Sequence, residues 1–259
     1  MSLDEATLIA IEEAAVLIKR SKYVTALTGA GVSVESGIRP FRGIGGLWTE
    51  FGEPPMDGYR RFEEDPKRYW DEMMSPLRRN KFETSLLEAK PNSGHLAFAE
   101  LEAMGILRML ITQNIDSLHF EAGSRKVLEI HGNRYKLRCV ECNSRFPREG
   151  FDLSVLPPRC PRCSGVVKDD VVMFGEPIPP EVLFTCIEEA RRSDCMIVAG
   201  TSAVVHPAAG LPVEVKRNGG SIIEVNPMKS ELSEISDVII SLPSGSALPN
   251  LILALKRLS

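Results

Sequence analysis

The chain lacks several features that would place it in a broad functional class. Its 259 residues contain no apolar run approaching the roughly 20 residues that a membrane-spanning helix needs. The first 19 residues carry four acidic side chains, unlike the basic start of a signal peptide. Basic residues are not in excess either, since the net charge is −4, so nucleic acid and anionic membrane surfaces are disfavoured as main partners. We therefore expect a cytoplasmic protein with no membrane partner and no direct nucleic-acid partner.

Cysteine is scarce, but its placement is informative. Four of the six cysteines form two C-x-x-C pairs, Cys139 with Cys142 and Cys160 with Cys163, separated by 17 residues. Without a secretory signal a disulfide framework is disfavoured, and this spacing is typical of a tetrahedral four-thiolate zinc site. Such a site leaves no open coordination position, so we predict one structural Zn²⁺ per chain. A cluster of arginines nearby could contact nucleic acid, but we interpret it first as a solvated charged face.

Apolar runs alternate with amphipathic segments along most of the chain. Residues 4–20 place apolar side chains at helical spacing, with Asp4 positioned to cap the start. We expect further helices at Pro180–Arg192, Ala208–Arg217 and Leu248–Leu258, and buried strands at Tyr23–Thr28, Leu107–Thr112, Cys195–Ala199, Ile222–Val225 and Val238–Leu242. Continuously apolar strands separated by helices are typical of a parallel sheet covered on both faces. The sequence therefore predicts an α/β fold with a Rossmann-like, doubly wound parallel sheet.

Two regions interrupt this alternation. Residues 39–90 are polar, contain prolines and show a helical pattern, whereas residues 132–170 hold the paired cysteines. We interpret them as a helical insertion and a zinc-ribbon insertion that together form a smaller domain. The larger, Rossmann-like domain then consists of residues 1–38, 91–131 and 171–259.

A glycine turn follows the first predicted strand. Gly29-Ala30-Gly31 would let the backbone approach a pyrophosphate, whose charge is favoured by free amides at a helix start. An ordinary strand-to-helix turn is the alternative. The third glycine of a plain dinucleotide fingerprint is missing, and no acidic residue that would bind the ribose is evident about 20 positions on. A hydride-transferring oxidoreductase is therefore disfavoured.

Polar side chains are expected to converge at one end of the sheet. Gln113-Asn114-Ile115-Asp116 follows the strand Leu107–Thr112, and His131 follows the apolar segment Val127-Leu128-Glu129-Ile130. In an open parallel sheet, ligands bind in the crevice at the carboxyl ends of the strands. A histidine alone would usually be structural, but two amides and a carboxylate beside it make His131 a candidate catalytic residue.

These residues, in this order, resemble the sirtuin family, including its prokaryotic and archaeal members. The resemblance rests on Gly29-Ala30-Gly31-Val32-Ser33, Ser36-Gly37-Ile38, Phe41-Arg42-Gly43, Gln113-Asn114-Ile115-Asp116, Leu128-Glu129-Ile130-His131-Gly132, both cysteine pairs, Phe174-Gly175-Glu176, Gly200-Thr201-Ser202 and Val225-Asn226. It covers nearly the whole chain. It implies an NAD-dependent protein-lysine deacylase whose large domain binds NAD and whose zinc is structural.

The resemblance also implies which residues bind the two substrates. The implied catalytic residues are His131, Asn114 and Asp116. The implied NAD contacts are Gly29, Ala30, Gly31, Ser33, Phe41, Arg42, Trp48, Gln113, Asn114, Ile115, Asp116, Gly200, Thr201, Ser202, Asn226, Pro227, Met228 and Ser244. The acyl-lysine protein or peptide would pair as an added strand with Val172, Met173, Phe174 and Gly175.

The implied reaction uses NAD as a co-substrate. The acyl oxygen attacks the ribose carbon that bears nicotinamide, and His131 then removes a proton from a ribose hydroxyl, which attacks the resulting imidate. An imidazole pKa of about 6.5 suits this base at neutral pH. The products would be free lysine, nicotinamide and O-acyl-ADP-ribose.

Members of this family differ in the acyl groups that they remove. Members that remove succinyl or malonyl groups carry a Tyr-x-x-Arg pair near the position of Tyr69-Trp70, because a carboxylate in a dry tunnel needs a bidentate cation. Here the matching positions are Met73 and Pro76, so anionic acyl groups are disfavoured. Met73 and Met74 could form a flexible apolar wall for acetyl and longer apolar acyl groups, or could belong to the helix core.

Two alternative functions use the same residues differently. A mono-ADP-ribosyltransferase would share the NAD cleft but bring another nucleophile to the ribose, and product analysis separates it from a deacylase. A non-catalytic NAD-sensing or chromatin-binding module would use the zinc insertion to dock a partner. The presence of His131, Asn114 and Asp116 argues against that second alternative.

Overall fold

The computed structural model describes residues 3–43, 45–75 and 81–258, with the backbone alone for residues 81–84. Residues 44 and 76–80 of the predicted helical insertion, Pro76 among them, lie outside the described part. The strands are β1 (Val24–Thr28), β2 (Leu107–Thr112), β3 (Val127–Glu129), β4 (Lys136–Cys139), β5 (Arg145–Pro147), β6 (Val167–Asp169), β7 (Cys195–Ala199), β8 (Ser221–Val225) and β9 (Val238–Ile240). The α-helices are α1 (Glu5–Arg20), α2 (Leu47–Phe51), α3 (Gly58–Glu64), α4 (Pro66–Met74), α5 (Lys81–Glu88), α6 (Ser93–Ala103), α7 (Leu118–Glu121), α8 (Pro180–Arg192), α9 (Leu211–Arg217) and α10 (Ser244–Arg257). Among the residues described, no helix is both long and apolar enough to cross a membrane.

Six strands form one sheet in the order β3-β2-β1-β7-β8-β9. All neighbouring strands are parallel. The chain builds outward from β1 to β3 and then returns to the other side of β1 with β7, so the strand order reverses between β1 and β7. The predicted Rossmann-like, doubly wound α/β fold is confirmed. In such sheets the crevice at the carboxyl ends of the strands beside the reversal is where ligands bind.

Apolar side chains cover both faces of this sheet. Ile11 of α1, Phe98 of α6 and Leu251 of α10 share one buried cluster with Ala26 of β1, whereas Leu27 belongs to the cluster on the opposite face, which includes residues of α8 and α9. Successive side chains of a strand point to opposite faces. Because both faces are covered, every residue of β1 is buried. The two threonines of this strand satisfy their hydroxyls by hydrogen bonds to Ser193 and Thr112.

The helix boundaries depart from the predictions where proline intervenes. The expected helix Ala208–Arg217 is a 3-10 turn at Ala208–Gly210 followed by α9, because Pro212 is accommodated in the first turn of an α-helix but not in its interior. Helix α10 begins at Ser244 rather than at Leu248, with Pro249 inside it. Proline cannot donate to the carbonyl four residues earlier, and the Gly245 carbonyl instead accepts a hydrogen bond of 2.8 Å from the Ser93 hydroxyl.

A smaller antiparallel sheet of β5, β4 and β6 carries the cysteine pairs. Trp70 of α4 is fully buried against Leu137 and Cys160, and its indole Nε1 donates to the Val167 carbonyl at 2.8 Å. Met73 packs against the same cluster, which supports its assignment to the helix core. The helical region and the cysteine region therefore share one apolar core.

The core beneath α10 allows a matched test of burial. Leu251 is 0% exposed, whereas Leu253, two residues along the same helix, is 53% exposed. We expect Leu251→Ala to lower the free energy of unfolding by about 2–5 kcal/mol, because it removes apolar contacts and leaves a cavity. Leu253→Ala should change it by less than about 0.5 kcal/mol. Urea denaturation followed by circular dichroism measures both, and equal losses would show that α10 does not pack as described.

Candidate active site and metal centre

Three glycines bring two loops into direct backbone contact at the carboxyl end of the sheet. The amide of Gly31, in the turn after β1, donates to the carbonyl of Gly200 after β7 at 2.8 Å. A Cβ atom on Gly31 would lie 2.7 Å from the Gly200 Cα, and one on Gly29 would lie 2.8 Å from the Thr201 Cβ. Gly200 itself has φ +61° and no room for a side chain. The turn leads into a 3-10 helix, Ala30–Ser36, and the Gly31 amide is occupied by Gly200.

Amide side chains bridge the loops that follow β2, β7 and β8. Gln113 Nε2 donates to Thr201 Oγ1 at 3.0 Å. Asn114 Nδ2 donates to the Gly29 carbonyl at 3.1 Å, and Asn226 Nδ2 donates to the Thr201 carbonyl at 3.1 Å. These bonds connect predicted NAD contacts that are far apart in the sequence, so the loops form one polar edge.

A buried carboxylate and a hydroxyl lie behind this edge. Ser33 Oγ donates to Asp116 Oδ2 at 2.6 Å and accepts from Asn114 Nδ2 at 3.2 Å. The other carboxylate oxygen, Oδ1, accepts the Leu118 amide at 3.0 Å. Asp116 and Ser33 are both buried, and these hydrogen bonds compensate for the loss of water around the carboxylate.

His131 lies two residues beyond β3, at the same edge. Its Nδ1 is 3.3 Å from the Gln113 carbonyl oxygen. Because a carbonyl can only accept, Nδ1 carries the proton and Nε2 of the neutral ring carries the lone pair. Burial lowers the pKa of His131, an effect that the hydrogen bond to Gln113 opposes. The geometry therefore yields a neutral imidazole with a defined tautomer.

Two further histidines, His95 and His119, are buried near the same edge. His95 Nε2 is 3.4 Å from Ser33 Oγ, and His119 Nε2 is 3.0 Å from Thr28 Oγ1. Their ring centroids are 4.9 Å apart. Burial lowers the pKa of His95 to about 4, and burial followed by the charge of His95 lowers the pKa of His119. Both rings are therefore neutral at neutral pH.

An aromatic and cationic cluster joins predicted NAD residues to a predicted substrate residue. The rings of Phe41 and Trp48 lie 4.8 Å apart, and those of Trp48 and Phe174 lie 5.4 Å apart. The Arg42 guanidinium lies 4.4 Å from the Trp48 ring centroid and pairs with Glu53 at 2.7 Å. Trp48 and Phe174 therefore bring a predicted NAD residue and a predicted substrate residue into apolar contact.

The remaining predicted NAD contacts surround the same sheet edge in different environments. Ser202 follows Thr201 and is exposed, and Pro227 and Met228 are exposed in the loop after β8. Ser244, by contrast, is buried at the start of α10. The assignment of these residues to NAD binding stays a prediction.

The predicted substrate segment, residues 172–175, leads into a tight turn of residues 173–176 and is not a strand. The Glu176 amide donates to the Met173 carbonyl at 3.0 Å, and Gly175 has φ +81°, which suits glycine at the third position of a type II turn. The Val172 amide donates to the His131 carbonyl at 2.9 Å. The segment is thus attached to the candidate base, while its pairing with a peptide stays a prediction.

The four paired cysteines converge into one cluster. Their sulfur atoms all lie within 4.8 Å of one another, with Cys139 and Cys163 at 3.5 Å and Cys142 and Cys160 at 3.7 Å. Zn–S bonds of about 2.3 Å in a tetrahedron place sulfur atoms about 3.8 Å apart. The donor set and its spacing therefore fit the predicted structural zinc with four thiolate ligands.

The two halves of the cluster are built alike. The Asn143 amide donates to the Cys139 carbonyl at 3.1 Å, and the Ser164 amide donates to the Cys160 carbonyl at 2.8 Å. Asn143 and Ser164 both have positive φ, 53° and 62°. Each C-x-x-C pair therefore forms a turn that directs both of its sulfur atoms toward the same point.

The chain is similar to proteins of one family over nearly its whole length. Residues 29–207 match the model of the Sir2 family. The NAD-dependent protein deacylase of Pyrococcus furiosus is 40% identical over 252 residues, which cover 95% of this chain and 98% of that protein.

Solved structures of Sir2 proteins are also similar to this chain. A Sir2 homologue in complex with NAD has a TM-score of 0.79 and 42% identity, covering 96% of this chain and 95% of the other. A Sir2 complex with a p53 peptide and NAD⁺ has a TM-score of 0.77 and 32% identity, covering 96% and 99%. The matched region includes the glycine turn, the polar edge and both cysteine pairs, and the chain therefore belongs to the Sir2 family.

Proposed function

We propose that this chain is an NAD-dependent protein-lysine deacylase that transfers the acyl group to ADP-ribose. The observation that carries the proposal is the position of His131, whose neutral ring is fixed by the Gln113 carbonyl at the edge that holds Asn114 and Asp116. The likeness to a named protein deacylase and to complexes with NAD and with a peptide supports the substrate classes. The division into a large NAD-binding domain and a small zinc-containing domain is part of this proposal.

The glycine turn and the polar edge would hold NAD. The absence of side chains at Gly29, Gly31 and Gly200 lets the loops approach each other, and a ligand lying over them can reach their backbone. Asn114 and Asp116 would line the nicotinamide end, with Thr201 and Asn226 toward the phosphates and the adenine ribose. Bound NAD supplies an electrophilic ribose carbon from which nicotinamide can depart.

His131 would act as the general base. Its Nδ1–H is directed to the Gln113 carbonyl, so Nε2 is the atom that can accept a proton from a ribose hydroxyl. Burial lowers the pKa of the ring, which keeps it unprotonated at neutral pH. The hydrogen bond to Gln113 also restricts rotation of the imidazole, so Nε2 keeps one direction.

The aromatic cluster would exclude water and receive the acyl-lysine. Trp48 and Phe174 are in ring contact, and this contact brings the predicted substrate segment to the predicted NAD loop. Such apolar walls suit acetyl and longer apolar acyl groups. Succinyl and malonyl groups are disfavoured, because their carboxylates would lose water and Arg42, the cation beside Trp48, is already paired with Glu53.

The first test follows the products. We expect an acetyl-lysine peptide incubated with NAD to yield free lysine, nicotinamide and O-acetyl-ADP-ribose by mass spectrometry. His131→Ala should slow this reaction by roughly 10²–10⁴-fold, because the general base is lost. Transfer of ADP-ribose to protein without loss of acetyl would instead indicate the transferase, and no consumption of NAD with any acyl peptide would indicate the sensor.

A second test uses pH. Because burial lowers the pKa of His131 from its usual value of 6.5, the base should lose activity only when the pH falls below that value. We expect the acidic limb of kcat/KM, which reports groups of the free enzyme, to have its midpoint below 6.5. A midpoint at or above that value would show that His131 is not the titrating base.

A third test removes the metal. We expect one zinc per chain by atomic emission and none in Cys160→Ser, with a lower melting temperature, because the metal holds together a small module with a limited apolar core. Cys186→Ala is the matched control, since Cys186 is buried but lies outside the cluster. Full zinc content in Cys160→Ser, or loss of zinc in the control, would contradict the assignment.

A further inference from the structure

A buried group of charged residues joins the small sheet to the substrate segment. Arg138 of β4 and Lys168 of β6 are 5% and 0% exposed, and both face Glu176, which is 2% exposed. Arg138 Nη2 donates to Glu176 Oε1, and Lys168 Nζ lies 3.1 Å from Glu176 Oε2. Removing such charges from water is costly unless they stay paired. The pairing therefore constrains the position of Glu176 relative to Arg138 and Lys168.

Lys168 attaches to the chain on both sides of the substrate segment. Its ammonium donates to the Asp169 carbonyl at 2.8 Å and to the Val171 carbonyl at 2.7 Å. The contact with Glu176 supplies an acceptor for the third hydrogen. The Lys168 ammonium thus contacts residue 171, just before residues 172–175, and residue 176, just after them.

Glu176 also closes the turn from within. Its Oε2 accepts the Met173 amide at 2.8 Å, while its own amide donates to the Met173 carbonyl at 3.0 Å. The Phe174 carbonyl accepts the Tyr59 amide at 3.0 Å. The two carboxylate oxygens of Glu176 have separate partners: Oε1 accepts from Arg138, whereas Oε2 accepts the Met173 amide and lies beside Lys168.

We propose that Glu176 is a positioning residue for acyl-lysine recognition, which fixes residues 172–175 on Arg138 and Lys168. This inference rests on the proposed deacylase function. The carboxylate bonds to the backbone between Val172, which is attached to His131, and Phe174, which contacts Trp48. Glu176 itself touches neither substrate nor NAD in this scheme, and it acts through the segment that would bind the peptide.

The sharpest variant is Glu176→Gln, which keeps the shape of the side chain. Glutamate uses both oxygens as acceptors, whereas glutamine has one oxygen and an NH₂ group. Whichever way the amide turns, the NH₂ group faces a donor, either Arg138 or the Met173 amide with Lys168. Glu181→Gln is the matched control, because Glu181 is exposed at the start of α8 and undergoes the same chemical change.

Three measurements on the zinc-loaded full chain test the proposal. They are hydrogen exchange of the Met173 amide by NMR, binding of a fluorescein-labelled acetyl-lysine peptide by anisotropy, and binding of NAD by calorimetry. In Glu176→Gln we expect Met173 exchange to rise and the peptide Kd to weaken, each by about tenfold or more, because a charge-assisted hydrogen bond is lost. The Kd for NAD and the zinc content should stay at the wild-type values, and the control should match the wild type throughout.

A second variant covers the case in which Glu176→Gln fails to fold. Glu176→Asp keeps the charge that compensates Arg138 and Lys168, but its shorter side chain cannot span to both cations and to the Met173 amide. It should show the same selective weakening of peptide binding.

The outcomes separate this proposal from the deacylase function. Unchanged Met173 exchange, an unchanged peptide Kd, or equal weakening of peptide and NAD binding would overturn the positioning role. If the wild type itself bound no acetyl-lysine peptide, the deacylase function would fall, and the Met173 exchange would still decide whether Glu176 fixes the turn.

Discussion

The backbone contact between the turn after β1 and the turn after β7 is the constraint on which the candidate site depends. Gly31 and Gly200 touch through atoms that a Cβ on either residue would displace. Because the loops are this close, Gln113 can bridge to Thr201. The carbonyl of the same residue faces the His131 ring. A side chain at Gly31 or Gly200 would push apart these loops, which Gln113 links to the His131 ring through its side chain on Thr201 and its carbonyl on Nδ1.

Several buried polar groups at the site are paired with one another. Asp116 is bonded to Ser33 and to a backbone amide, and burial holds the neighbouring histidines neutral. In the charged network around Glu176, opposite charges compensate one another in the same way. The large sheet thus presents hydrogen-bonded donors and acceptors, whereas the small sheet supplies two cations that bond to Glu176 beside residues 172–175.

Much of the fold was predictable because its signals are local. The apolar strands β1, β2 and β7 and helix α8 lie where the periodicity placed them, and the alternation of elements implied a parallel sheet. The predicted starts of α9 and α10 were wrong, because the effect of a proline on a helix depends on what replaces its missing hydrogen bond. For Pro249 that replacement is a contact from Ser93, 152 residues before Gly245, which no local pattern contains.

The amino-acid sequence by itself determined the cysteine spacing, the glycine turn and the membership in the Sir2 family, because these reside in short motifs whose order along the chain is enough. Only the tertiary structure decided which nitrogen of His131 faces the Gln113 carbonyl and which cations bond to Glu176. Those properties depend on partners that meet in space: His131 and Gln113 are 18 residues apart, and Arg138 and Glu176 are 38 residues apart. Hydrogen bonds act over about 3 Å, so side chains this distant in sequence interact only after the sheet has brought their loops together.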